Sequence, residues 1–221
     1  MNQIAKIGIQ APQLQLSDWV QGTPTNLDQL LGSVVLITVF QVNCPGCFLY
    51  SLPQVIDLHQ RYFSKGLTVI GMATAFEDFD KNTLENLKSL LEKNKVIGET
   101  LRVLEDNKQL IEGRLPYHIP FPVTMDRITK QQKEITDNEI ASFIKQHIAD
   151  YIDHNAHEKK HIQQQVLDYL QSRLYVAETF TSYALRGTPS YIIIDKKGVL
   201  RACEFGQFSD LEWLINILLH E

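Results

Sequence analysis

Cysteine is scarce in this chain, with 3 in 221 residues, beside 3 methionines and 2 tryptophans. Three cysteines do not make the even, dense set on which small secreted scaffolds are built. Basic charge is also lacking. Lysine and arginine total 21 against 26 acids, a formal net charge of -5, which argues against the basic face that nucleic-acid binding requires. The main apolar runs, Val34–Phe40 and Tyr191–Ile194, are far too short to span a bilayer. The opening stretch MNQIAKIGIQAPQLQL has no apolar segment long enough for a signal-peptide core. Repeats and low-complexity segments are absent. These absences lead to the expectation of a cytoplasmic protein in a reducing compartment, with no nucleic acid and no membrane among its partners.

What is present is ordinary for a globular protein: 44% hydrophobic and 21% charged residues. Val34–Phe40 is a continuous, largely β-branched run, the pattern of a strand buried on both faces. It leads into Asn43-Cys44-Pro45-Gly46-Cys47. An amphipathic stretch then runs to about Phe63, with Pro53 expected to kink it. Lys65-Gly66 ends that helix, and Leu67–Ala73 reads as a second buried strand, completing a βαβ unit. Further helices are expected at about 81–93 and near Val103–Gly113, and a short strand over Phe121–Met125. The segment from Asp126 to about Thr179 is polar and reads as an inserted helical hairpin. Thr136-x-x-Glu139 is a capping box that opens its first helix, and His161–Val176 is its second. Strands follow at Tyr191–Asp195 and Val199–Phe205, antiparallel because the turn between them is so tight. A closing helix covers Ser209–His220. The fold class is therefore α/β, a mixed sheet flanked by helices.

The Cys44/Cys47 pair lies where a buried strand gives way to a helix. A helix N-terminus offers unpaired N–H groups and partial positive charge, which favour thiolate over thiol. The two-residue spacing lets a disulfide close with little backbone movement, and Pro45 costs little in a first helical turn. A zinc site would need a second close ligand pair, and the remaining cysteine, Cys203, stands alone in an apolar strand context. No metal or cofactor is expected. Arg186-Gly187-Thr188-Pro189-Ser190, just before a strand, holds a candidate cis peptide.

These residues, in this order, resemble the thioredoxin-fold superfamily, and within it the TlpA-like and peroxiredoxin-related (AhpC/TSA) redoxin branch. Ala11-Pro12 with Leu14-Gln15-Leu16 is similar to that branch's opening strand. Gln21-Gly22-Thr23-Pro24 with Asn26-Leu27 is similar to its first hairpin, and Val34–Cys47 to its strand and active site. The resemblance implies a three-layer α/β/α domain over residues 1–221, interrupted by a helical insertion at about 127–178. It implies that Pro189 is cis and faces the cysteine pair, and that the Thr188 backbone pairs with an extended substrate. Three departures stand out. Asn43 occupies a position where tryptophan is common. Thr38 falls near where thioredoxins bury an acid. Pro53 comes six residues after Cys47 rather than five, a spacing similar to that of peroxiredoxins, with Cys47 then matching the peroxidatic cysteine.

The preferred function is thiol–disulfide exchange with protein clients or a low-molecular-weight thiol, with Cys44 attacking and Cys47 resolving. The alternatives are a peroxiredoxin-like thiol peroxidase acting through Cys47, and a non-catalytic thioredoxin-like binding module. Glu77, just past the second strand, is a candidate for proton handling, although a solvated loop carboxylate is the commoner situation. His147, Asp150, His154, His157 and His161 would align on one continuous helix and face a metal there, but a solvated polar face is the simpler account.

Overall fold

The computed structural model describes residues 4–148 and 150–221. Its contacts divide the chain into two compact units: residues up to Ile128 together with Ala177–Glu221, and Thr129–Val176.

The larger unit is built on a six-stranded sheet. In chain order its elements begin with β1 (Leu16–Gln21), β2 (Val34–Phe40), α1 (Leu52–Tyr62), β3 (Leu67–Ala73), α2 (Leu84–Lys93), α3 (Gly98–Asp106) and β4 (Val123–Asp126). The chain then passes through β5 (Ile128–Lys130), α4 (Asp137–His147), α5 (Ala156–Ser172) and β6 (Tyr175–Ala177), with β5 and β6 pairing as a small sheet of their own. It returns as α6 (Glu178–Ser182), β7 (Ser190–Ile194), β8 (Leu200–Phe205) and α7 (Leu211–His220). The strand order is β1-β4-β3-β2-β7-β8. β2, β3 and β4 run parallel, while β1, β7 and β8 each run antiparallel to their neighbours.

β2 is central and every residue in it is buried. Side chains alternate across a strand. Val34, Leu36 and Phe40 therefore join Leu52, Val55 and Leu58 of α1 and Leu211, Ile215 and Leu218 of α7 in one core cluster. Val35, Ile37 and Val39 join Leu14, Leu27 and Tyr183 in another. The bounds expected for the two buried strands, Val34–Phe40 and Leu67–Ala73, are the observed ones. Gly66, at φ 100, ends the turn after α1 as a left-handed cap.

Several expectations differ from the structure. β1 forms no hairpin with β2. It starts at Leu16 and pairs with β4 at the sheet edge, because antiparallel pairing between distant segments leaves no local signature. α3 begins at Gly98, five residues before the expected Val103, because its first turn is capped by a residue from elsewhere in the chain, described below. The interruption expected at Pro53 takes the form of a π-helical turn: the helix that starts at Pro45 passes through it over Cys47–Ser51, just before Pro53.

In the smaller unit, Thr136 and Glu139 form the expected capping box at the start of α4. α4 ends at His147, and α5 starts at Ala156 behind a second capping box, Asn155 with Glu158. The histidines consequently do not share one helix. His154 precedes α5 and lies 3.6 Å from Asp150 and 3.2 Å from Glu158. Among the described residues no group of three or more His, Cys, Asp or Glu side chains is arranged to hold a metal ion.

Candidate active site

The chain leaves β2 through Gln41 and Val42 and turns at Asn43 into Cys44. A helix starts at Pro45, continues through the π-helical turn at Cys47–Ser51 and runs on as α1. Cys44 therefore sits just ahead of the first helical turn and Pro45 within it, where the N–H that proline lacks would have no intrahelical partner. Cys44 and Cys47 are joined by a disulfide, with Cα atoms 5.5 Å apart. The Cys47 backbone N–H donates to Cys44 Sγ at 3.3 Å, the kind of contact that stabilises negative charge on a helix-start sulfur. Cys44 is half-buried, whereas Cys47 is 0% exposed.

The π-helical turn accounts for the six-residue spacing from Cys47 to Pro53. The Leu52 backbone N–H donates to the Cys47 carbonyl, an i→i+5 bond that encloses one residue more than an α-turn. Pro53 has no N–H to give the preceding carbonyls. Tyr117 donates its hydroxyl to the Phe48 carbonyl at 3.1 Å, satisfying one of them. Burial pushes the Tyr117 phenol well above its ordinary range, which keeps it protonated as a donor.

The Arg186–Ser190 loop meets the pair from β7. The Thr188–Pro189 peptide is cis, and the Thr188 carbonyl oxygen lies 3.5 Å from Cys44 Sγ. Two bonds hold this loop: Ser190 Oγ donates to the Gly187 carbonyl at 2.7 Å, and Gly206 N–H donates to the Pro189 carbonyl at 2.9 Å. A Cβ on Gly187 would stand 2.5 Å from the Phe205 ring, so the loop's approach to β8 depends on that glycine. Cys44 and Thr188 are thus brought together by the turn that follows β2 and the loop that precedes its antiparallel neighbour β7, with Cys47 and Pro189 next to them along the chain.

Glu77 is not joined to this cluster. It is exposed, on the loop after β3, and its neighbour Asp78 bonds Asn43 instead. Cys203 is half-buried against the second core cluster, and burial pushes its thiol up to about 12. Ser51 and Tyr191 escaped the sequence reading. The buried Thr38 hydroxyl lies 3.4 Å from Ser51 Oγ, and the Tyr191 hydroxyl lies 3.4 Å from Gln54 Oε1. Near the place where thioredoxins bury an acid, this chain thus carries a hydroxyl beside a second hydroxyl. Burial raises the Tyr191 phenol from its ordinary value. The only advance sign was the polar character of Ser51 on the inner side of an otherwise apolar helix.

The sequence matches no family model and no curated protein. Solved structures do match. A thioredoxin-like superfamily protein aligns over 97% of this chain and 98% of its own, at 25% identity and a TM-score of 0.60. A thiol-disulfide isomerase from Corynebacterium glutamicum aligns over 94% of each chain, at 26% identity and a TM-score of 0.58. This is a thioredoxin-fold protein. Its similarity to thiol–disulfide oxidoreductases extends over nearly the full length of both chains, and its cysteine pair has the matching CxxC spacing at disulfide distance. Among the described residues, no helix of this thioredoxin-fold chain is long and apolar enough to cross a membrane.

Proposed function

We propose that the protein is a dithiol–disulfide oxidoreductase in which Cys44 attacks and Cys47 resolves. The observation that carries this reading is the asymmetry of the pair: Cys44 is reachable and accepts the Cys47 N–H, while Cys47 is fully enclosed. In the reduced protein, the Cys44 thiolate attacks one sulfur of a client disulfide. That S–S bond breaks, the other client sulfur leaves as a thiolate, and a mixed disulfide forms. Cys47 then loses its proton and attacks Cys44 Sγ. The client is released with both sulfurs reduced, and the Cys44–Cys47 disulfide carries the two electrons' worth of oxidation. Thr188, whose carbonyl borders Cys44, presents backbone groups to an extended client, and Pro189 shapes that turn. Its clients are protein or small-molecule disulfides, and a protein thiol or low-molecular-weight thiol returns the electrons by attacking the Cys44–Cys47 disulfide. The enclosure of Cys47 leaves hydroperoxide no exposed sulfur to meet at that position, which weighs against a peroxidase acting through it.

The test is equilibration of the pair with glutathione, combined with trapping by Cys47→Ser and Cys44→Ser. A defined midpoint is expected, together with mixed disulfides that accumulate on Cys47→Ser and hardly at all on Cys44→Ser. Equal trapping by the two variants, or a pair inert to glutathione, refutes the assignment.

A further inference from the structure

The residue before Cys44 is held from several directions. The Asn43 backbone N–H donates to Asn82 Oδ1 at 2.9 Å. Its side-chain Nδ2 donates to Asp78 Oδ2 at 2.6 Å, and its Oδ1 accepts the Glu99 backbone N–H at 2.7 Å. One residue earlier, the buried Thr100 hydroxyl donates to the Val42 carbonyl at 3.0 Å. The loop after β3 and the first turn of α3 thus converge on the two residues that lead into the cysteine. Their chemistry fixes the amide's orientation, since an ionised carboxylate only accepts and a backbone N–H only donates. Gly98 permits the approach. It has φ +55, and Asn43 Oδ1 occupies the space a Cβ would need.

We propose that Asn43 is the positioning residue of Cys44, and that its neutral amide keeps a carboxylate out of the position next to the cysteine, the Asp78 charge standing one hydrogen bond beyond that amide; this rests on the reading of Cys44 as the attacking thiol. An apolar residue at 43 would leave the Glu99 N–H without its cap and release the loop. Aspartate would cap α3 as well as asparagine does, but it would set a carboxylate beside the thiolate, which disfavours the charged sulfur. Asparagine meets both demands. The charged groups around it are Asp78, Asp80 and Lys81 on the loop and Glu99 and Arg102 on α3. Lys81 lies 3.8 Å from Asp78 and 3.7 Å from Asp80, and Arg102 pairs with Glu99. Both local carboxylate sets therefore already have a cation.

The experiment measures the alkylation rate of Cys44 against pH in the reduced full-length protein, beside the denaturant midpoint. Asn43→Asp should move the alkylation midpoint to higher pH and slow the neutral-pH reaction by about three- to tenfold. The double variant Asn43→Asp with Asp78→Asn reverses the polarity of the hydrogen bond. It should recover stability while the alkylation midpoint stays high, because the charge now adjoins the sulfur. An unmoved midpoint in Asn43→Asp overturns the proposal, as does a midpoint that returns with stability in the double variant. Should Asn43→Asp fail to fold, Asp78→Asn alone decides. It removes the charge and keeps an acceptor oxygen, so the midpoint should fall, and an unchanged one overturns the proposal. A wild type that does not exchange with glutathione sinks the reading of Cys44 itself, and with it this inference.

Discussion

β2 in the larger unit and α5 in the smaller one are held in different ways. All seven residues of β2 are buried, with alternate side chains filling two core clusters. In α5, seventeen residues long, Val166 is the one hydrophobic side chain placed among the buried described residues, and in α4 it is Ile144. These two helices rely on local chemistry at their starts instead, in the form of two complete capping boxes. Between them lies a cleft of about 820 Å³ walled by Ile140, Ile144, Ile148 and Leu167, with Lys145 and Lys160 also lining it. One unit is specified by packing between distant residues, and the other largely by neighbours three and four positions apart.

The contrast is sharpest for core truncation. Phe40→Ala in β2 should cost about 3–5 kcal/mol in denaturant unfolding, since it opens a void in a closed core. Ile144→Ala, on a wall already open to the cleft, should cost less than about 2 kcal/mol, because that site has little to collapse. Equal costs would mean the smaller unit is packed as tightly as the larger.

Replacing Thr129–Val176 with a short Gly/Ser link comes next. The ends of the segment are already tied within the larger unit: Glu178 N–H donates to the Arg127 carbonyl, and Asp126 accepts the Thr179 and Phe180 N–H groups and the Thr74 hydroxyl. The shortened protein should remain folded with a reactive Cys44, as read by cooperative unfolding and thiol alkylation. Failure to fold would make the smaller unit part of the core.

Asp126 itself gives a pH test. Burial raises its carboxyl above the ordinary value despite those hydrogen bonds. A raised carboxyl contributes stability that is complete below its unfolded value and is lost as pH rises through the folded one. The stability difference between wild type and Asp126→Asn should therefore narrow as pH climbs from below 3.8 into and past the raised range. A gap that widens would show that Asp126 is held ionised by its donors.

The smallest expected effect is at a cap. Asn155→Ala should cost about 1 kcal/mol. The loss should show in hydrogen exchange at the start of α5, with little change in the larger unit's unfolding midpoint.

The same division governs what could be read from the chain. β2 and β3 were legible to the residue because a buried parallel strand is a continuous apolar run, and Cys44 because a strand–helix junction places it. The α4 capping box was legible for the same local reason. Asn155 with Glu158 carries an equal signature, and reading it would have started α5 at Ala156 instead of His161. The pairing of β1 with β4, the α3 start set by Asn43 and the Thr38–Ser51 contact join residues far apart in sequence, where no periodicity points. Asn43 registered as a departure from a familiar pattern, but its partners lay 35 to 56 positions away.

The π-helical turn bears on alignment. One surplus residue inside a helix advances its phase by about 100°, and here the Leu52, Val55 and Leu58 stripe beyond the turn lies in the core cluster that also holds Cys47. The extra residue is absorbed in a single turn, braced by Tyr117 at the Phe48 carbonyl. Residue-by-residue comparison with a chain that lacks the turn is therefore out of step by one on one side or the other. A gap belongs between Cys47 and Leu52, and any role carried across without it lands on the wrong neighbour.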